Sequence, residues 1–233
     1  MTSLDFSIAH LVSTTNTLVQ KLTLRVSTTF HFQAGQYLKI AHPSGELIPL
    51  SIATAPYRLP ELDLHYQSTA APEATLMDEM LEASKRGSCE FSICGPFGDV
   101  VSGSTRLRPL LLIAGGTGAA QAASFIDQLT ATPPEHAVTA LFCADTIADL
   151  YLRTWLDELD APWLDSVFIA DARRTPDNRS LAWLETRAET LMDHRIVLSG
   201  SPGFVYGAAD ILTRSGIAKS ALESDVFTYS RTP

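Results

Sequence analysis

Two rhythms of apolar residues divide this chain. Up to about residue 100, apolar and polar positions alternate in short runs, which is the period of half-buried strands. Such runs fall at 6–12, 17–26, 37–41, 47–54, 62–67 and 89–94. In the second run (TLVQKLTLRV), Leu18, Leu22, Leu24 and Val26 are the expected inward positions. Pro43-Ser44-Gly45 marks a turn, and Gly95-Pro96 closes the last run. One helix interrupts the strands at 73–84, with Leu76, Met77, Met80 and Leu81 at helical spacing and Lys85-Arg86-Gly87 as its stop. Closely spaced short strands of this kind predict a small antiparallel β-barrel.

Beyond Arg106 the pattern changes. Continuous apolar runs at 110–114 (LLLIA) and 138–142, with further strands at 166–170 and 195–199, alternate with helical segments at 119–130, 150–159, 180–192 and one running to Leu212. That alternation predicts a parallel sheet covered on both faces by helices. The expected organisation is a barrel over residues 1–104 and an α/β nucleotide-binding domain over 105–233.

Composition narrows the class. Of 233 residues, 45% are hydrophobic and 18% charged, which fits a folded soluble protein. No apolar stretch approaches the roughly 20 residues a membrane span needs, and the N-terminal MTSLDFSIAHL lacks a signal-peptide pattern, so a cytoplasmic location is expected. A net charge of −9 argues against nucleic-acid or anionic-membrane partners. Cys89, Cys94 and Cys143 form no CxxC pair and are expected as buried, reduced thiols. The six histidines show no metal-like spacing, so no metal site is expected.

Candidate chemistry sits in two glycine-bearing loops. Gly115-Gly116-Thr117-Gly118 lies between a buried strand and a helix, where free N–H groups and the helix dipole favour an anion. Ser199-Gly200-Ser201-Pro202-Gly203 repeats the arrangement. Either loop alone also reads as a plain strand–helix turn. As a pair at the carboxyl ends of parallel strands they define a crevice for a ligand. In the barrel, Leu50-Ser51-Ile52-Ala53-Thr54 follows Pro49 and offers a small hydroxyl beside which a flat ring could lie.

These segments occur in a recognisable order: FQAGQY at 32–37, PLSIAT at 49–54, GPFG at 95–98, LIAGGTG at 112–118, SGSPGF at 199–204 and DVFTY at 225–229. The series resembles the ferredoxin–NADP reductase superfamily, and the length is most similar to its NAD(P)H:flavin oxidoreductase branch. The resemblance implies a barrel that binds FAD or FMN and a second domain that binds NAD(P)H. It implies that Pro49, Leu50, Ser51, Ile52 and Ala53 flank the isoalloxazine, with the Ser51 hydroxyl near flavin N5 as the catalytic contact. His65, Tyr66 and Gln67 would line the flavin from the next strand, and Tyr229 or Phe227 would lie near its ring. Gly115, Gly116, Thr117, Gly118, Ser199, Gly200 and Pro202 would receive the nicotinamide cofactor.

Three departures from the family pattern matter. Ile48 stands where an arginine would pair with flavin phosphate, and Leu50 stands where an aromatic would stack; Arg58 or Lys39 are the candidates to compensate. Asp145 replaces an arginine on the adenosine side, where a carboxylate repels a 2′-phosphate and accepts from a 2′-hydroxyl, so NADH is expected over NADPH. Ser199 replaces a frequent cysteine. The function implied is hydride transfer from nicotinamide to riboflavin, FMN or FAD, with the flavin either a bound cofactor or a diffusible substrate. Reduced flavin or electrons would pass to a flavin-dependent monooxygenase or an oxygenase component. The alternatives are an FAD-holding reductase subunit of a multicomponent oxygenase and a non-catalytic module on a reductase scaffold.

Overall fold

A computed structural model describes residues 4–87, 89–103, 108–170 and 179–229. The N-terminal half contains strands β1 (Phe6–Thr14), β2 (Gln20–Arg25), β3 (Tyr37–Ala41), β4 (Leu47–Ser51), β5 (Glu61–Tyr66) and β6 (Glu90–Phe97), with helix α1 (Pro72–Ser84) between β5 and β6. They form one antiparallel sheet in the order β4-β3-β6-β1-β2-β5, and a bridge between Ile52 and Leu64 joins its two edge strands. Alternation fills the interior with Leu22, Leu24, Leu38, Ile40, Ile93 and their neighbours. Leu18 is not among them: β2 begins only at Gln20, so Val19 is buried and Leu18 stands 56% exposed. The fourth strand also ends earlier than the sequence suggests, at Ser51.

The second half contains β7 (Leu110–Gly115), α2 (Ala119–Ala131), β8 (Val138–Cys143), α3 (Arg153–Asp157), β9 (Leu164–Ile169), α4 (Arg179–Arg187), β10 (Arg195–Ser199), α5 (Pro202–Arg214), β11 (Leu222–Glu223) and α6 (Val226–Tyr229). The parallel sheet runs β11-β10-β7-β8-β9. The apolar run 110–114 is buried on both faces. Leu110, Leu112 and Ala114 pack with α2, while Leu111 and Ile113 pack with α5. The expected helix over 150–159 is instead a short α3 preceded by a 3₁₀ turn at Ile147–Asp149. The expected helix over 180–192 gives way after Arg187 to a 3₁₀ turn. The domain boundary expected at 104/105 lies outside the described residues. Cys94 and Cys143 are buried, but Cys89 is exposed, because it lies just ahead of β6 rather than in it.

The two halves are joined by polar groups spaced three apart along α2. Gln121 donates to Gly35 O at 2.7 Å, and Ser124 Oγ donates to Thr54 O at 2.7 Å. The Asp127 carboxylate accepts from Ala55 N–H (2.8 Å), Tyr57 OH (2.7 Å) and Arg58 Nη2 (2.8 Å). Burial alone would raise the Asp127 pKa; these donors overcome it and hold the carboxyl below its ordinary value.

Removing the carboxylate leaves Arg58 and Ala55 N–H without their acceptor. Asp127→Ala is therefore expected to cost about 2–4 kcal/mol of unfolding free energy in urea titrations at pH 7. The bound form is the ionised one. The difference between wild type and Asp127→Asn should stay constant above the unfolded carboxylate value of about 3.9 and shrink as pH falls below it.

Candidate functional site

The parallel sheet changes direction between β7 and β10, since neighbours of β7 on one side precede those on the other in the order of crossing. The crevice at such a switch point is where open α/β sheets receive ligands. Here Ala114 pairs with Ser199, so the loops at 115–118 and 199–203 leave side by side. They touch through backbone. A Cβ on Gly118 would lie 2.5 Å from Gly200 N and from the Ser199 carbonyl carbon. Gly200 itself has a φ of +141°, a conformation that favours glycine. Ser199 Oγ donates to Gly118 O at 2.9 Å, so this hydroxyl ties one loop to the other.

Facing these loops is the outer surface of β4. Leu50 and Ser51 from the barrel, Thr117, Gly118, Ser199 and Gly200 from the α/β half, and Asp225 from the C-terminal segment line one cavity of about 560 Å³. That is within the range of small-molecule sites, roughly 300–1,000 Å³. Among the described residues the Ser51 hydroxyl makes no hydrogen bond. His65 enters from β5, with Nδ1 2.9 Å from Tyr151 OH. Burial lowers the His65 pKa to about 4, so the ring is neutral near pH 7. Burial likewise raises Asp225, which accepts from Gln121 Nε2 at 3.0 Å.

Of the residues expected to form a site, Pro49, Leu50, Ser51, His65, Thr117, Gly118, Ser199 and Gly200 line this cavity. Others do not. β4 ends at Ser51, and the residues that follow leave the cavity. Ile52 faces the barrel core and Ala53 packs with α2. Tyr66 is also directed inward, its OH donating to Ala74 O at 2.7 Å. Gln67 reaches Asp149 instead, 3.4 Å away. Gly115 lies beneath the Phe204 ring, and Gly116 borders a separate small pocket. Pro202 is exposed at the first turn of α5. Asp145 lies just beyond the carboxyl end of β8, outside the cavity. The side chain of Tyr229 lies outside the described residues, and the Phe227 ring lies tilted against Tyr206, 5.7 Å between ring centres.

The two candidate cations separate cleanly. Arg58 is engaged by Asp127 on another side of the molecule, and Ile48 is buried in the barrel. Lys39, paired in register with Pro49, lines the cavity with its Nζ 4.8 Å from the centre of the Phe97 ring. Among the described residues lining it, Lys39 is the one cation, against Glu73 and Asp225. A planar ring system fits this lining: an unspent hydroxyl, a neutral imidazole, an aliphatic side chain and backbone at glycines. A phosphate clamp does not, because a lone lysine faces two carboxylates. Lys39 is anticipated in the sequence as a compensating cation; Gln121 and Asp225 were not readable as site residues from spacing, and of these two only Asp225 carried a signal, as the head of DVFTY.

No family model matches the chain. It is 27% identical over 219 residues to the terephthalate 1,2-dioxygenase reductase component 1 of a Comamonas species, covering 91% of this chain and 64% of that protein. It is 28% identical over 198 residues to the NAD(P)H-flavin reductase of Vibrio harveyi, covering 81% and 83% of the two chains. Among solved structures it superposes on a ferredoxin NADP+ reductase from Neisseria gonorrhoeae with bound FAD and NADP, at a TM-score of 0.77 and 15% identity, over 96% and 99% of the chains. The chain thus has the two-domain fold of the ferredoxin–NADP reductases. The resemblance to that superfamily, including its flavin-reductase branch, is borne out by these relatives. The chain spans just under two thirds of the length of the dioxygenase reductase component. Among the described residues no helix is long and apolar enough to cross a membrane.

The backbone contact between the loops leaves no room for a side chain. Gly118→Ala is expected to lower stability by about 1–3 kcal/mol in thermal denaturation, with Gly203→Ala, which meets nothing within 4 Å, close to neutral as the control.

Proposed function

We propose that this chain is an NAD(P)H:flavin oxidoreductase, with the flavin received by the barrel (residues 1–104) and the nicotinamide cofactor by the α/β half (residues 105–233). The observation that carries this reading is the sharing of one cavity by Ser51, Gly118 and Gly200. The similarity to proteins named as a flavin reductase and as a dioxygenase reductase component supports the same chemistry.

When bound together, a flavin and a reduced nicotinamide supply hydride transfer. The chain's work is positioning and exclusion of water. Ser51 offers a hydroxyl to the edge of a ring laid against β4, and Leu50 gives that ring an aliphatic floor. Gly118 and Gly200, lacking side chains, let a second flat ring approach the first. His65 stays neutral, so it can orient a ligand without adding charge. The Gln121–Asp225 hydrogen bond holds the far wall.

Flavin as a loosely held substrate suits this lining better than a permanently held FAD. Ile48 is committed to the barrel core, and Lys39 is a single point charge where a bidentate guanidinium would grip a phosphate. NADH is the preferred donor on account of Asp145. The acceptor downstream is an oxygenase component or a flavin-dependent monooxygenase, since similar proteins are named as components of dioxygenase systems. That same similarity favours a second reading, an FAD-holding reductase subunit.

One experiment divides these readings. The purified protein is expected to be colourless and to oxidise NADH only when riboflavin, FMN or FAD is added. A yellow protein active without added flavin would establish the second reading, and no oxidation under either condition would leave a non-catalytic module. Ser51→Ala should lower kcat about three- to tenfold with NADH, the effect of one lost hydrogen bond. The NADH:NADPH ratio of kcat/KM should be about fivefold or more and should narrow in Asp145→Ser.

A further inference from the structure

Ser51 and His65 are neighbours across two strands. The bridge between Ile52 and Leu64 is antiparallel, and Ala53 N–H donates to Asp63 O in the same register, so Ser51 stands across from His65. Ile52 and Leu64 face the barrel core, while Ser51 and His65 line the first cavity. The cavity wall thus holds a hydroxyl and an imidazole side by side.

The two nitrogens of that imidazole have different surroundings. Nδ1 lies 2.9 Å from Tyr151 OH. Tyr151 comes from the α/β half, in the turn ahead of α3, where buried Leu150 and Leu152 flank it. Its ring meets the imidazole edge-on, with 5.1 Å between centres. His65 borders the first cavity and also a second cleft of about 840 Å³; of these two, Tyr151 borders the second alone. The nitrogens of an imidazole point in nearly opposite directions. With Nδ1 turned to Tyr151, Nε2 is turned toward the first cavity. Nε2 has no hydrogen-bond partner among the described residues, although His65 is only 7% exposed.

The position of one proton follows from the hydrogen bonds available. Burial keeps His65 neutral near pH 7, so its ring carries a single N–H. Burial also raises the Tyr151 phenol well above its ordinary value, so the hydroxyl keeps its hydrogen. A proton on Nδ1 would donate to the tyrosine oxygen and leave the tyrosine hydrogen without an acceptor, since Nδ1 is the one partner of this hydroxyl among the described residues. With the proton on Nε2, the hydroxyl donates to Nδ1 and the buried pair is satisfied. An unmet buried donor is costly, so the second arrangement prevails.

We infer that Tyr151 is a positioning residue for the flavin site: by donating to Nδ1 it holds His65 as the Nε2–H tautomer, which offers a donor beside the Ser51 hydroxyl to an acceptor atom on the edge of the flavin ring. The tautomer rests on the geometry alone; the identity of the ring rests on the flavin reading given above. Tyr151 belongs to one half and His65 to the other, so docking of the halves completes this donor.

The test reads the ring nitrogens directly. Two-bond proton–nitrogen NMR spectra of the isotope-labelled full chain at pH 7, without flavin or nicotinamide, should show His65 with Nε2 protonated and Nδ1 bare; loss of the signals in His65→Gln assigns them. In Tyr151→Phe the two nitrogens should move toward a common, tautomer-averaged position. Riboflavin affinity, read from quenching of its fluorescence, should fall about three- to tenfold in Tyr151→Phe. On a His65→Gln background, where a carboxamide donates without any tautomer to choose, Tyr151→Phe should change affinity by less than about twofold. A wild-type ring protonated on Nδ1, ring signals indifferent to Tyr151→Phe, or an equal loss of affinity on both backgrounds would each overturn the inference. A wild type that binds no riboflavin would overturn the flavin reading, with the tautomer still decided by the ring spectra.

Discussion

The burial of polar side chains on one flank of α2 is the constraint on which the rest of the molecule depends. Gln121, Ser124 and Asp127 sit within an otherwise alanine-rich helix and are each nearly inaccessible. Apolar surfaces tolerate sliding, but buried hydrogen-bonding groups do not: each must meet its partner within tenths of an ångström or carry an unpaid desolvation cost. The barrel supplies those partners from the stretch just after β4 and from Gly35. Ser51 lies only a few residues before these contacts. The same bonds that dock the halves thus set the distance from the β4 surface to the glycine loops.

Much of this architecture was legible. Period-two alternation marked the barrel strands, and the doubly buried run at 110–114 marked the centre of the parallel sheet. Both glycine loops stood out because chain chemistry forces glycine where backbone meets backbone. The limits were local. Leu18 fits the alternation of its run, yet the strand begins after it. Resemblance named residues 49–53 and 65–67 as blocks, whereas Ile52 and Tyr66 are spent on the barrel core and do not reach the cavity. Asp127 carried no signal, and Arg58 stood out for a flavin phosphate rather than for Asp127, since an aspartate on a helix and an arginine in a turn look alike whether they face solvent or each other across an interface. The two-residue strand β11 is too short to leave a pattern.

The lining of the first cavity tells a consistent story about charge. A site that must hold a phosphorylated cofactor through many turnovers accumulates guanidinium groups and helix-end donors. This one keeps a single ammonium and two carboxylates around a largely uncharged face. What it offers a ligand is ring contact, neutral hydrogen bonds and the helix-end N–H groups beside Gly118 and Ser201. This charge balance is what underlies the proposal that flavin is exchanged rather than retained.

Because α2 begins just after Gly118 and grips the barrel through Asp127 two and a half turns later, one stiff rod connects the glycine loop to the opposite half. Opening the two halves like a book would break the buried contacts of that rod all at once. Entry by way of the open sides of the crevice asks no movement of that framework.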